Sequence, residues 1–185
     1  KYQNRYALDY LWQGIGAFVQ EHPHIRYLFG SASISARYGH EATARIAHFY
    51  KTHVNHLPVD VSPRTPFCVS DALEAQLANE MPGDDFQTDL TTVQSALAAQ
   101  NLTIPLLFKH YSQATSKDGV SFSAFNVDPA FGDCVDAFVM ADLTRLLPKK
   151  KRRYLGEAWQ HRPVNQAPQE ELVLPPEASS TATNR

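Results

Sequence analysis

Apolar residues recur every three or four positions from Asn4 to Glu21, with Leu8, Leu11, Trp12, Ile15, Phe18 and Val19 on one stripe, and this spacing predicts a helix closed by Pro23. Gly14 and Gly16 interrupt the stripe, each at a cost of about 1 kcal/mol against Ala. Two such glycines point to close approach of another backbone or of a ligand, with helix–sheet packing the favoured explanation. Ile25–Ser35 alternates: Tyr27, Phe29, Ser31 and Ser33 fall on one side, and Leu28, Gly30, Ala32 and Ile34 on the other, as in a strand. Gly30 inside that run marks a bulge or a close contact. The Ser31/Ser33 side suits either a groove beside a ligand or a plain sheet surface.

Glu41–Asn55 returns to helical spacing, with Ala42, Ile46, Phe49, Tyr50 and His53 on one stripe. Leu57–Pro66 holds three prolines and reads as a loop; Val69–Asn79, which Ser70 can cap, and Thr88–Gln100 read as helices. The stretch 57–101 is therefore expected to be a helical insertion. Thr103 is the expected cap of a further helix bearing Leu107, Tyr111 and Ala114, with Pro105 in its first turn. Val120, Phe122 and Ala124 alternate with serines, and the phase then flips, so that Phe125 and Val127 point the other way. Asp128–Asp133 is a turn, and Cys134–Met140 is apolar on both faces, as a strand covered on both sides would be. So short a connector predicts an antiparallel pair. Thr144–Leu147 is expected to form a helical turn that ends at Pro148.

Composition narrows the function class. With 43% hydrophobic and 19% charged residues the chain falls in the globular range, and its 185 residues suffice for one core. A net charge of −2 gives no field that would draw in nucleic acid. Cys68 and Cys134 match no metal or redox spacing and are expected as buried thiols in a reducing, cytoplasmic setting. No apolar run of about 18 residues is present to span a membrane, and no signal peptide is visible. The chain opens on Lys1 inside a helical pattern, as a piece of a longer protein would. Residues 1–156 are expected to form one domain, and 157–185 a disordered polar tail, Pro-, Gln-, Ser- and Thr-rich from Arg162 on. The basic run Lys149–Arg153 fits a solvated face, an anionic lipid surface or an acidic carrier protein.

Motifs for chemistry are sparse. No phosphate loop, dinucleotide fingerprint or nucleophile elbow is present. His40, His48, His53 and His56 cluster on one segment, but without HExxH or a cysteine partner they read as solvated histidines, and no metal is expected. The HxxxxD pattern of glycerolipid O-acyltransferases is missing, since Thr115 stands five places after His110.

Four blocks nevertheless carry a resemblance: LDYLWQGIGAFVQEHPHIRYLFGSASIS (8–35), IPLLFKHYSQA (104–114), FNVDPAFGDCVDAFVMADL (125–143) and RYLG (153–156). Together they resemble the haemolysin-like, ornithine-lipid N-acyltransferase branch of the GNAT acyltransferase superfamily, over roughly 2–156. The resemblance implies an α/β fold: a mixed GNAT-like sheet flanked by helices, with the N-terminal strands missing and the insertion at 57–101. It implies long-chain acyl transfer from an acyl-carrier thioester to an amine in membrane lipid synthesis. The donor would be the phosphopantetheine of acyl carrier protein or acyl-CoA, with no permanently bound cofactor, in a cytoplasmic protein peripheral to the membrane. Since the donor strand would lie ahead of Lys1, the chain is expected to hold part of an active site and not to act alone. Donor binding would fall to Lys1, Gln3, Asn4 and Arg5 at the first helix, with Gly30 and Ser31 on the strand. Asp136 is the candidate for orienting or deprotonating the amine, and Lys109, His110, Tyr111 and Asp128 are candidates for substrate contact. Competing readings are a non-catalytic module that binds lipid or carrier protein, and a haemolysin-like protein.

Overall fold

A computed structural model describes residues 7–58 and 60–156, so the expected roles of Lys1, Gln3, Asn4 and Arg5, and the tail at 157–185, lie outside the described residues. Helix α1 (Ala7–Glu21) leads into strand β1 (Tyr27–Ile34), and Ser35 caps a short turn into α2 (Gly39–His53). Two further helices follow, α3 (Asp71–Glu80) and α4 (Phe86–Ala98). Ser70 caps α3 by accepting from the Leu73 N–H, and Asp85 caps α4 by accepting from the Thr88 N–H. Next come α5 (Leu106–Ser112), β2 (Val120–Asp128), β3 (Cys134–Asp142) and α6 (Pro148–Leu155).

The strands form one sheet in the order β1–β3–β2, antiparallel throughout. The last strand thus inserts between the two earlier ones, and the fold is α/β, consistent with a partial GNAT-like domain. β3 takes the centre because both of its edges are paired and Val135, Ala137 and Val139 bury on one face. Its other face is only half-buried, and the strand runs on to a second carboxylate, Asp142. Neither alternative expected at Gly30, a bulge or a close contact, is found: Gly30 pairs in register with Val139, and a Cβ there would meet nothing within 4 Å. The irregularity sits in β2 between Ser123 and Asn126, where Ala124 takes φ 48°. There the side-chain phase flips, as the sequence foretold.

α2 and α5 cover the apolar face. Tyr50 and Phe108 bring their rings to 4.6 and 4.9 Å from that of Phe122. The insertion stacks outside α2, adding Leu77, Met81, Val93 and Leu97 to the same core. A smaller cluster of Val19, Leu143, Leu146 and Leu155 joins α1 to α6.

Three local expectations fail. Thr103 does not cap α5; Pro105 holds the cap position without a side-chain bond, and Phe108, not Leu107, is the fully buried residue. Pro148 starts a helix instead of stopping one, as proline does at a first turn. Within the basic run, Lys151 Nζ donates to the Thr144 carbonyl and the exposed Arg153 pairs with Asp9, while Lys149 and Arg152 stay exposed. The thiols are not buried either, for Cys68 is exposed and Cys134 half-buried.

Asp142 is 1% exposed, accepts from Arg26 at 2.9 Å, and also accepts from the Thr144 hydroxyl and N–H. Burial pushes its carboxyl up, but Arg26 and Thr144 together outweigh that and hold it below the ordinary value. A carboxylate depressed in the folded state contributes stability above its unfolded pKa of about 3.9, and that contribution is lost as pH falls through the folded value. Asp142→Asn should therefore cost about 2 kcal/mol at pH 7. The gap to the unmodified chain should begin to narrow below about pH 4 and close only as pH falls past the folded value, so urea unfolding should give a smaller gap at pH 3 than at pH 7. A gap equal at both pH values would show that charge is not the cause.

Candidate functional site

Two cavities share Phe29 of β1, whose outer edge is unpaired among the described residues, and they lie on opposite faces of the sheet. The first is a slot of about 570 Å³ between α1 and β1, lined by Tyr10, Trp12, Gly14, Phe18, Leu28 and Phe29. Its walls are apolar and uncovered; Phe29 is 75% exposed, and Tyr10, Leu11 and Phe18 are each more than half exposed. So many large apolar groups around one depression mark a binding surface for a hydrophobic partner. A Cβ added at Gly14 would meet nothing within 4 Å, so the helix backbone here borders open space. Trp12 lies edge-on to Tyr111, and among the described residues its buried indole N–H has no acceptor.

The second cavity, about 670 Å³, lies on the polar face. It is bounded by Phe29, Gly30 and Ser31 of β1, by Asp136 and Phe138 of β3, and by the β2 bulge. Its far wall is the proline-rich loop, in which Arg64 and Thr65 take part. That loop is fixed to the bulge. Thr65 donates its N–H to Asn126 Oδ1, and its carbonyl accepts from the Val127 N–H at 2.8 Å. Phe29 stacks on Phe138 at 5.9 Å across the floor.

Register fixes what faces this groove. Asp136 stands opposite Ser33 on one side and Asn126 on the other. Its Oδ1 is buried and, among the described residues, accepts no hydrogen bond; the buried Ser123 hydroxyl is likewise unpartnered. A buried carboxylate oxygen without a donor costs about 1–3 kcal/mol. A ligand N–H placed there would recover that loss. The arrangement can hold an ammonium or amine between an acceptor and two aromatic rings.

The other candidates separate. Gly30 and Ser31 line the Asp136 groove, whereas the slot is formed by α1 and by Leu28 and Phe29. Asp128 also borders the groove, but its Oδ1 accepts from the N–H groups of Ala130 and Phe131 and so holds the turn. Lys109, His110 and Tyr111 are consecutive on a helix, so about 100° separates each from the next. Accordingly Tyr111 faces the α1–β1 slot, His110 faces the small α1–α6 cluster, and Lys109 faces a third cavity between α4 and α5. They form no common site with Asp136. Burial, reinforced by the Lys150 cation, holds the His110 imidazole below its ordinary value.

The expectation of solvated histidines holds for His40 and His56, which are exposed, but not for the other two. His53 is buried and bonded through Nε2 to Asp89 at 2.7 Å, and His48 reaches the Met81 carbonyl. Among the described residues no group of three or more His, Cys, Asp or Glu could hold a metal ion, and no helix is long and apolar enough to cross a membrane. Sequence reasoning missed Trp12 and the loop wall. The indole lay in an ordinary apolar stripe, and nothing local ties residues 61–65 to a bulge 60 positions later.

No family model matches the chain, and no solved structure matches it. Two curated proteins do, both named glycine N(alpha)-acyltransferase. The one from Bacteroides thetaiotaomicron is 25% identical over 150 residues, and the one from Phocaeicola vulgatus is 23% identical over 150. Each alignment covers 81% of this chain, but 44% and 45% of the respective relative, so the chain spans under half the length of the curated relatives it matches. The likeness is thus to acyltransferases, and it supports acyl transfer in general.

Proposed function

We propose that this chain supplies part of the active site of an N-acyltransferase that moves a long acyl chain from a carrier thioester to the amine of a small amino acid. The observation that carries this reading is that an apolar slot and an amine-compatible groove share Phe29, on a strand whose outer edge is open among the described residues. The acyl chain would lie against α1 and β1. The amine would enter from the opposite face, with an N–H held by Asp136 Oδ1. The amine nitrogen attacks the thioester carbonyl, the carbon–sulfur bond breaks, and the departing thiolate takes up a proton. Holding both reactants supplies most of the acceleration, and Asp136 supplies orientation and a proton acceptor. The names of the two relatives favour glycine as acceptor, with ornithine the related candidate. The exposed Lys149 and Arg152 on α6, beside α1, favour an acidic acyl carrier protein or an anionic membrane surface as the donor's setting.

The test uses protein that carries this chain at a length comparable with the relatives. It is incubated with palmitoyl acyl carrier protein or palmitoyl-CoA and with glycine or ornithine, and N-acyl product is read by mass spectrometry. Product with either amine is expected; hydrolysis of the donor without amide formation overturns the reading. Lys149→Glu/Arg152→Glu should raise KM for the carrier-protein donor about tenfold and leave KM for glycine unchanged.

A further inference from the structure

The third cavity, about 450 Å³, opens between α2, α4 and α5, away from the slot and the groove. Its size falls within the range of small-molecule sites and equals about fifteen water molecules. Phe49, Phe86, Leu90, Ile104 and Val120 make its walls apolar, and Phe86 remains 39% exposed at the opening. The polar residues are distributed unevenly. His53 also lines the cavity, and one hydrogen bond behind it stands Asp89, itself 1% exposed. Asp89 also accepts from the Gly83 N–H at 2.9 Å. With His53 already bonded to Asp89, the inner wall offers no unpaired cation among the described residues. Lys109 and Lys117 line the same cavity from α5 and the loop after it, and neither forms an ion pair among the described residues. Burial holds the Tyr50 phenol up to about 12, so it stays neutral and adds no repulsion.

We infer that this cavity is a binding site for a single-chain amphipathic carboxylate, its apolar tail against Phe49, Phe86 and Leu90 and its head at Lys109 and Lys117. The charge layout sets the direction. A head turned inward would lose its water and meet Asp89 across His53; a head turned outward keeps water and gains two cations. The tail covers the exposed part of Phe86 and of the half-buried Leu90. This inference is independent of acyl transfer at the β1 edge, and either can fail without the other.

Calorimetric titration of the chain with dodecanoate below its micelle concentration, and with dodecanol as an uncharged probe, tests it. One saturable site for dodecanoate is expected. Lys109→Ala/Lys117→Ala should weaken dodecanoate about tenfold and dodecanol by less than about twofold. Gln94→Trp, at an exposed position on the cavity rim, should remove binding of both probes. Folding of each variant is checked by circular dichroism, and Leu90→Trp serves if Gln94→Trp does not fold. The inference is overturned if the folded chain shows no saturable dodecanoate binding, if binding survives a tryptophan at the rim, or if the lysine change weakens both probes equally.

Discussion

Replacing Gly16 with valine is expected to destabilise the chain by about 3 kcal/mol, near the top of the range for an overpacked interface. A Cβ at this position would stand 2.8 Å from the Tyr154 carbonyl carbon and closer still to its oxygen. The obstacle is backbone, so no side chain can rotate away; α6 as a whole must move. Moving it opens the cluster of Val19, Leu143 and Leu155 and loosens the Arg153–Asp9 pair. Any gain in helix propensity is at most about 1 kcal/mol and does not offset that. Gly14→Ala is the matched control. Nothing lies within 4 Å of its added Cβ, so that variant should be neutral or slightly stabilising. Urea unfolding of both variants, with hydrogen exchange at 148–155, measures the difference. A Gly16→Val chain as stable as Gly14→Ala would remove the packing argument.

Asp136→Asn is expected to lower kcat/KM for the amine by about a thousandfold in the acyl-transfer assay, within the usual span for losing a positioned acid or base. KM for the acyl donor should not change, because the slot lies on the other face of the sheet. Stability supplies the second readout. Oδ1 is buried without a donor, so removing the charge should leave the melting temperature unchanged or raise it. A carboxylate kept for structure would behave in the opposite way, losing stability with little effect on rate. Activity retained within about threefold would assign amine binding elsewhere.

The contrast between Gly14 and Gly16 shows where the sequence was legible. Helical spacing placed both glycines inside α1 and announced a close approach, either by backbone or by ligand. Two positions on a helix differ by about 200°, so the pair faces opposite sides. One side packs on a backbone and the other opens onto a slot. Nothing local could assign which was which, because α6 begins 132 positions after Gly16 and was itself hidden by Pro148. Similarly, the phase flip at Phe125 announced a break in β2, but not that residues 61–65 would fix themselves to it.

By itself, the order of apolar and polar residues determined the first five helices, the three strands, the antiparallel hairpin and the two glycines of α1, since these follow from periodicities of 3.6 and 2 that neighbouring residues enforce. Only the tertiary structure decided that β3 inserts between β1 and β2, that Asp136 keeps a buried oxygen unpaired, and that His53 joins Asp89 behind a cavity. Each of those depends on residues far apart in the chain meeting across a packed interface, and burial there is settled by the partner and not by the local sequence.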